Sequence, residues 1–287
     1  MKRLKNGVKI RNWISKILFV VGFLLLSYPL VEGFNQRQYH RDAVATYQSS
    51  VDDISKEDIK KELKKSNEYN SILFQTQGYV INDSNTDMLS DKSYNSLLNQ
   101  SDKGIMGSIE IPKIDVDLPI YHGTSEEVLS IGVGHQQGSS LPVGGENTRC
   151  ILSGHRGLPS SKLFTRLDEM KEGDLFFLKV MNETLAYKVS KVEVVEPNDI
   201  SVFEIPAGKD ECSLVTCTPY GLNTQRLIVT GERVPFEKSE YQSIEKGFPS
   251  LRESIFPSLP IAILAVVVIL KVIEWRKSKN ESENIKE

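Results

Sequence analysis

The sequence predicts a mainly β domain, a barrel or a sandwich, held between two apolar segments that are long enough to cross a membrane. Three observations predict this architecture. Several short segments alternate apolar and polar residues, turns that contain Gly and Pro separate them, and one apolar run lies near each end of the chain. The chain has 287 residues, of which 39% are hydrophobic, and a net charge of −3. This balance gives no basis for nucleic-acid binding, which depends on clustered Lys and Arg.

The two apolar runs are predicted to be transmembrane anchors. The first (residues 13–31) follows a basic tail over residues 1–12, and the second (residues 255–273) precedes a basic tail over residues 274–287. Because Lys and Arg mark the cytoplasmic flank of a span, both termini are predicted to be cytoplasmic and the segment between the spans extracellular. A cleaved signal peptide is an alternative for the first run, but no A-x-A-like cleavage site follows it, which favours an uncleaved anchor.

Residues 35–104 are predicted to form a helical extension followed by a long, lid-like loop. One apolar stripe at helical spacing indicates the first helix, and it consists of Val44, Tyr47, Val51 and Ile54. The helical stretch is predicted from about Asn35 to Asn70, and within it Ser55, followed by two acidic residues, predicts the start of a second helix that ends at about Lys65. The segment Gly78–Gly104 is rich in Asn, Asp and Ser and has no steady period, apart from a helical turn around Tyr94 to Leu98. Loops of this length tend to be lids or binding loops.

The β domain is predicted over residues 105–236, with a juxtamembrane linker over residues 237–254. Ile114, Val116, Leu118 and Ile120 alternate with polar residues or proline, as in a half-buried strand. Further strands are predicted at residues 149–153, 174–180, 185–195, 213–217 and 225–234, with a hairpin turn around Asn182 and Glu183. One helix is predicted over residues 161–170.

Three cysteines lie between the two apolar runs, and an odd number leaves at least one thiol unpaired. Cys212 and Cys217 are five residues apart in one predicted strand and therefore lie on opposite faces, which argues against a disulfide between them. Cys217 ends an apolar run and precedes the turn sequence Thr-Pro-Tyr-Gly. A nucleophile at this place is held by the sheet and open to solvent. A small buried hydrophobic residue is the alternative role for any single cysteine.

Two further side chains are candidates for the same site. Arg226 begins the next predicted strand and returns beside the thiol if the two strands are neighbours. A guanidinium there places a positive charge beside the thiol and offers N–H donors to an oxyanion. His155 also follows a predicted strand, and a histidine next to a cysteine accepts and returns the proton in thiol catalysis. Each residue alone is commonly structural, so the prediction of a catalytic site rests on their combination.

The other two histidines of the predicted β domain, His122 and His135, are predicted to be structural. His135 is predicted to be a structural loop residue, and His122, beside Gly123, a turn residue. A zinc site formed by His155 with the three cysteines is a rival, but the spacing contains no paired-ligand motif. The sequence therefore predicts no metal site.

The strings TCTPYGLNTQRLIVTG and SGHRGLPSSKLF resemble the Cys–Arg and His blocks of sortases, especially the class C, pilus-assembling group. The resemblance covers roughly Ile105 to Val234 and implies a closed β-barrel of about eight strands with short helices. It implies that Cys217 attacks the Thr–Gly bond of an LPXTG-like sorting signal and that Arg226 steadies the oxyanion or positions the substrate backbone. His155 then transfers protons. The implied partners are pilin subunits and the lysine amine of another pilin, and no metal or organic cofactor is implied.

One departure from the family pattern concerns the loop. Class C sortases commonly carry a lid with an Asp-Pro-aromatic string, whereas Gly78–Gly104 contains no proline, and Asp83 is followed by Ser84 and Asn85. The sequence therefore predicts a looser lid, or one that closes differently. Two alternative functions stay open: a housekeeping sortase that uses a cell-wall peptide amine, and a non-catalytic surface module.

Overall fold

The computed structural model describes residues 2–76, 89–100, 104–158, 161–199, 204–245 and 251–284. The chain divides into two compact units, Met1–Glu32 with Phe248–Glu287, and Gly33–Gly247. The first unit contains the start of helix α1 (Lys2–Asp52) and helix α6 (Leu251–Asn284). Both helices are long and apolar enough to cross a membrane, with mean hydropathies of 2.1 and 2.2 over their most apolar 18 residues. Almost none of these segments is buried inside the protein, unlike a core helix, which is consistent with membrane anchoring.

The second unit is a closed barrel of eight strands in the order β1-β2-β3-β4-β7-β8-β6-β5. The strands are β1 (Ile105–Ile111), β2 (Val116–His122), β3 (Val133–His135), β4 (Thr148–Ser153), β5 (Leu175–Val180), β6 (Glu183–Val195), β7 (Asp210–Thr218) and β8 (Gln225–Val234). Neighbouring strands are antiparallel except for β2 with β3 and β4 with β7, which are parallel. The predicted closed barrel with short helices is confirmed, and its closure leaves no free strand edge.

Some observed strands have the predicted bounds, and others were not predicted. The bounds of β8 match the prediction, and β4 begins one residue earlier than predicted. Strand β1 was not predicted as a separate strand, although six of its seven residues are buried. Strand β3 was also not predicted, since three residues are too few for a period.

The predicted helix over residues 161–170 is wrong, because the structure has only a short 3-10 turn at Leu167–Glu169. Leu163 has a φ of 34°, in the left-handed region that a right-handed helix cannot contain. The backbone N–H of Phe164 donates to the carbonyl of His155 instead of to a residue within a helix. The side chains of Leu163 and Phe164 are buried, so these apolar residues fix a loop against the barrel.

The helical extension is fastened to the barrel by buried polar contacts. Helix α2 (Lys56–Thr76) begins as predicted, with Ser55 accepting from the N–H of Asp58 at 3.1 Å, but it continues beyond Lys65. This continuation is stabilised by the buried side chain of Asn70, which exchanges two hydrogen bonds with the backbone of Leu141. Three further short helices are α3 (Asp91–Ser96), α4 (Glu126–Ile131) and α5 (Lys238–Ser243).

Candidate active site

Cys217 and Arg226 lie opposite one another on the antiparallel strands β7 and β8. Directly paired residues share a face of the sheet, so the thiol and the guanidinium belong to one surface. Both side chains are half-buried. The Nη1 of Arg226 donates to the carbonyls of Asn223 and Gln225, at 3.4 and 3.2 Å. Both of these contacts are to backbone oxygens, and no ion pair of Arg226 with a carboxylate is found among the described residues.

His155 follows β4, which runs parallel to β7 with Ser153 opposite Val215. This register continues past the end of β4. The N–H of Gly154 donates to the carbonyl of Val215 at 3.0 Å, and the hydroxyl of Thr216 donates to the carbonyl of Gly154 at 2.7 Å. By the same offset, His155, two residues past the end of β4, is at the level of Cys217 on β7. The strand pairings β4–β7 and β7–β8 therefore bring all three predicted site residues to one end of the barrel.

The imidazole of His155 is bound by a residue that the sequence analysis did not identify. Its Nε2 lies 3.1 Å from Oε1 of Glu126, whose side chain is 84% exposed, whereas that of His155 is 25% exposed. Across the described ranges no hydrogen bond joins the imidazole to the Cys217 thiol. Glu126 begins α4, where Ser125 accepts from the N–H of Val128. The only sequence signal for this helix was Ser125 followed by two acidic residues, a common helix start.

The other two cysteines face the core. Cys150 and Cys212 are partners on β4 and β7, and both are buried and unpaired by a disulfide. Burial raises the pKa of the Cys212 thiol well above its usual range, which keeps it protonated and unreactive. Cys217 is half-buried and alternates away from the core-facing Cys212, as predicted. In the described part of the chain, no group of three or more His, Cys, Asp and Glu side chains is arranged to hold a metal ion.

The two remaining histidines of the barrel end strands and are not loop or turn residues, which corrects the sequence interpretation of both. His135 is the last residue of β3 and is fully buried, with Nε2 2.9 Å from the carbonyl of Ser140. His122 ends β2, and its two ring nitrogens contact the carbonyls of Gly104 and Leu97. Both are structural residues that connect strand ends to neighbouring loops.

A model of the sortase domain matches residues 109–234, a range that contains His155, Cys217 and Arg226. The crystal structure of sortase C1 from Streptococcus agalactiae is similar at 46% sequence identity and a TM-score of 0.63. The match covers 68% of this chain and 100% of that one. The chain belongs to the sortase family.

Two other sortases show how far the similarity reaches. Sortase C of Clostridium perfringens, solved with the C-terminal cell wall sorting motif, is 41% identical with a TM-score of 0.59, and the match covers 68% of this chain and 99% of that one. Sortase D of Bacillus subtilis (strain 168) is 37% identical over 131 residues, which are 45% of this chain and 63% of that protein's length. Sortases are cysteine transpeptidases, and this enzyme class applies to the chain. Its structural neighbours are class C sortases.

The lid-like loop of this sortase is described only in its C-terminal part. Residues 77–88, which include Asp83, lie outside the described residues. The predicted turn at Tyr94 to Leu98 is the helix α3, which begins three residues earlier, at Asp91. The buried Tyr94 hydroxyl accepts from the N–H of Gly123 at 2.9 Å, and the N–H of Leu98 donates to Glu62 on α2 at 2.8 Å. This end of the loop is therefore tied to both the barrel and the helical extension.

Proposed function

We propose that this sortase polymerises pilins: it cleaves an LPXTG-like sorting signal between Thr and Gly and transfers the acyl group to a pilin lysine. The observation that carries this proposal is the strand register, which pairs Cys217 with Arg226 and sets β4, the strand that His155 follows, alongside β7. It is supported by the class C structural neighbours, one of which was solved with a sorting motif.

The first half of the reaction is acylation of the thiol. The Cys217 thiolate attacks the carbonyl carbon of the substrate threonine, a C–S bond forms, and the carbonyl oxygen becomes an oxyanion. The guanidinium of Arg226, which lies across the strand pair from the thiol, donates to this oxyanion or to the substrate backbone beside it. The C–N bond then breaks, and His155, as an imidazolium, protonates the departing glycine amine.

The second half transfers the acyl group. His155 is now neutral and accepts a proton from the incoming lysine amine as that amine attacks the thioester. The C–S bond breaks, the electron pair returns to Cys217 as a thiolate, and an isopeptide bond links two pilins. His155 ends the cycle as an imidazolium, so the protons balance, and no metal or organic cofactor takes part.

We further propose that residues 13–31 and 255–273 both anchor the enzyme, with the barrel on the outer face of the membrane and both termini inside. The support is that basic residues lie on the outer flanks of both runs, and that α1 and α6 are apolar over a spanning length. External protease on intact cells is expected to degrade the barrel and to spare an epitope tag at either terminus.

The acceptor amine distinguishes the proposal from its alternatives. The full-length enzyme in detergent receives an LPXTG-type peptide together with either a lysine-bearing peptide or triglycine, and the products are identified by mass spectrometry. Preferential transfer to the lysine side chain supports pilin polymerisation. Preferential transfer to triglycine indicates a housekeeping sortase instead. Absence of any acyl-enzyme indicates a non-catalytic module.

A further inference from the structure

Arg156, the residue after His155, carries a buried guanidinium that joins the ends of two strands. Its side chain is only 4% exposed. Nη1 donates to the hydroxyl of Thr218, the residue after Cys217, at 3.1 Å, and Nη2 forms an ion pair with Asp168. The offset between Arg156 and Thr218 is 62 residues, which is the offset of the β4–β7 register. One side chain therefore joins the residue after His155 to the residue after Cys217.

The same guanidinium is enclosed by the two loops that follow these residues. Its Cζ lies 5.9 Å from the centroid of the Tyr220 ring, on the loop after Cys217. A Cβ added at Gly157 lies 3.1 Å from that ring, so Tyr220 packs directly against the backbone that follows Arg156. Asp168 lies in the 3-10 turn at Leu167–Glu169, beyond the loop that hydrogen bonds to the His155 carbonyl. Movement of either loop changes the surroundings of Arg156.

Stability alone is a weak reason for a buried charge at this place. Burying the Arg156 guanidinium costs free energy, and its partner Asp168 is 44% exposed, so solvent screens the attraction that would offset this cost. In addition, the Nε of Arg156 is buried with no partner among the described residues, which adds a further cost. A role in positioning explains these contacts better, because the planar guanidinium of Arg156 holds the Asp168 carboxylate and the Thr218 hydroxyl in fixed directions.

We propose that Arg156 is a positioning residue that fixes the separation of His155 from Cys217 by holding Thr218 and Asp168 together. The inference rests on the proposed roles of His155 and Cys217. Arg156 acts through these two residues, because His155 exchanges protons with the amines that leave and attack the carbon bound to Cys217, and this exchange depends on the distance between the two side chains. Loss of the guanidinium lets the two strand ends separate while leaving the sulfur, the imidazole and the substrate contacts of Arg226 intact.

The test compares Arg156→Met with the matched control Arg166→Met in full-length enzyme in detergent. Arg166 is also a buried arginine of this region, and its guanidinium pairs with Glu169 at 2.7 and 2.9 Å. We measure kcat and KM for acylation by an LPXTG-type peptide across pH 5 to 9, and the melting temperature. We expect Arg156→Met to lower kcat by at least tenfold with KM within twofold, and to displace the pH optimum. Arg166→Met should change only the melting temperature.

A second variant keeps the test decisive if Arg156→Met folds poorly. Thr218→Val removes one hydroxyl at almost constant volume, and we expect a threefold or greater loss of kcat that is not additive with the loss in Arg156→Met. The proposal is overturned if Arg156→Met retains the kcat and pH profile of Arg166→Met, or if the Thr218→Val loss is fully additive. Wild-type enzyme and Cys217→Ala are measured in the same series. An inactive wild type rejects the proposed function, whereas an active wild type with insensitive Arg156 variants rejects only this inference.

Discussion

Cys217 on β7 and Arg226 on β8 are direct cross-strand partners, although they are nine residues apart in the chain. The distance between Cys217 and Arg226 is set by the pairing of β7 with β8 and not by the turn that joins these strands. A cation fixed beside a thiol stabilises the thiolate and any oxyanion formed next to it. The pairing therefore supports the proposed roles of Cys217 as nucleophile and of Arg226 as its electrophilic partner.

Substitution of Arg226 tests this pairing. Arg226→Lys keeps the charge and removes the planar fork of donors, and we expect kcat for acylation to fall by about 10²- to 10³-fold, the usual effect of losing an oxyanion donor. The matched control is Arg233→Lys at the other end of β8, where Arg233 lies over the ring of Tyr187. Steady-state kinetics with an LPXTG-type peptide measure both variants. Equal activity of the two would contradict the assigned role of Arg226.

Glu126 is expected to have a modest effect on catalysis. Its carboxylate is 3.1 Å from Nε2 of His155 but 84% exposed, and exposed ion pairs are strongly screened by solvent. We expect Glu126→Gln to lower kcat/KM by about fivefold or less, with the greater part of the effect at low salt. Glu127→Gln, one residue along the same helix, is the control and should match the wild type. A loss as large as that of a His155 variant would show that Glu126 takes part in the chemistry directly.

Tyr47 is expected to be important for stability and not for chemistry. Its hydroxyl donates to the carbonyl of Met106 and accepts from the N–H of Met181, both at 2.9 Å, and so joins α1 to two separate parts of the barrel. Tyr47→Phe leaves both backbone groups buried without a partner, which costs about 1 to 3 kcal/mol for each such group. Chemical denaturation of the full-length protein measures the free energy of unfolding.

The matched control for this substitution is Tyr69→Phe. The Tyr69 ring on α2 is equally buried, but its hydroxyl forms no hydrogen bond with the described part of the chain. We expect a loss of stability below about 1 kcal/mol for this variant. Equal losses of unfolding free energy in Tyr47→Phe and Tyr69→Phe would mean that the two hydrogen bonds of the Tyr47 hydroxyl do not stabilise the fold.

Because His122 is largely buried, the stability of the folded protein is expected to depend on pH. Burial lowers the pKa of its imidazole, and this effect outweighs the carbonyls of Gly104 and Leu97, which raise the pKa. The folded protein then keeps the ring neutral at pH values where the unfolded chain, with a pKa of about 6.5, binds a proton. Stability therefore falls as the pH is lowered below about 6.5, by at most about 1.4 kcal/mol per pH unit from this group. Thermal unfolding at pH 7.5 and 5.5 should show a smaller difference for His122→Gln than for wild type, and equal differences would contradict the assignment.

Several strands of the barrel and the three candidate site residues could be predicted from the sequence alone. Strands β4, β6, β7 and β8 combine β-branched residues with clear turns, and their ends carry the resemblance to sortase motifs. Because a residue at a strand end keeps its place once the register is set, Cys217, Arg226 and His155 could be predicted together.

Long-range contacts explain what the sequence did not predict. The segment around Leu163 has helical spacing, but burial of its apolar residues and a bond to the His155 carbonyl favour an irregular loop. Glu126 and Arg156 contact His155 and Thr218 from 29 and 62 residues away, so no local pattern indicates these pairs. Helix α2 extends past Lys65 because the barrel offers a backbone partner to Asn70, which only the folded chain contains.

The central claim is that Cys217 forms the thioester, and intact-protein mass spectrometry tests it most directly. Full-length enzyme in detergent is incubated with an LPXTG-type peptide without an acceptor amine, and the adduct is located by proteolysis at low pH. We predict one adduct with the mass of the peptide acyl fragment up to threonine, located at Cys217, absent in Cys217→Ala and retained in Cys212→Ala. An adduct that persists in Cys217→Ala, or that maps to Cys150 or Cys212, would contradict the account.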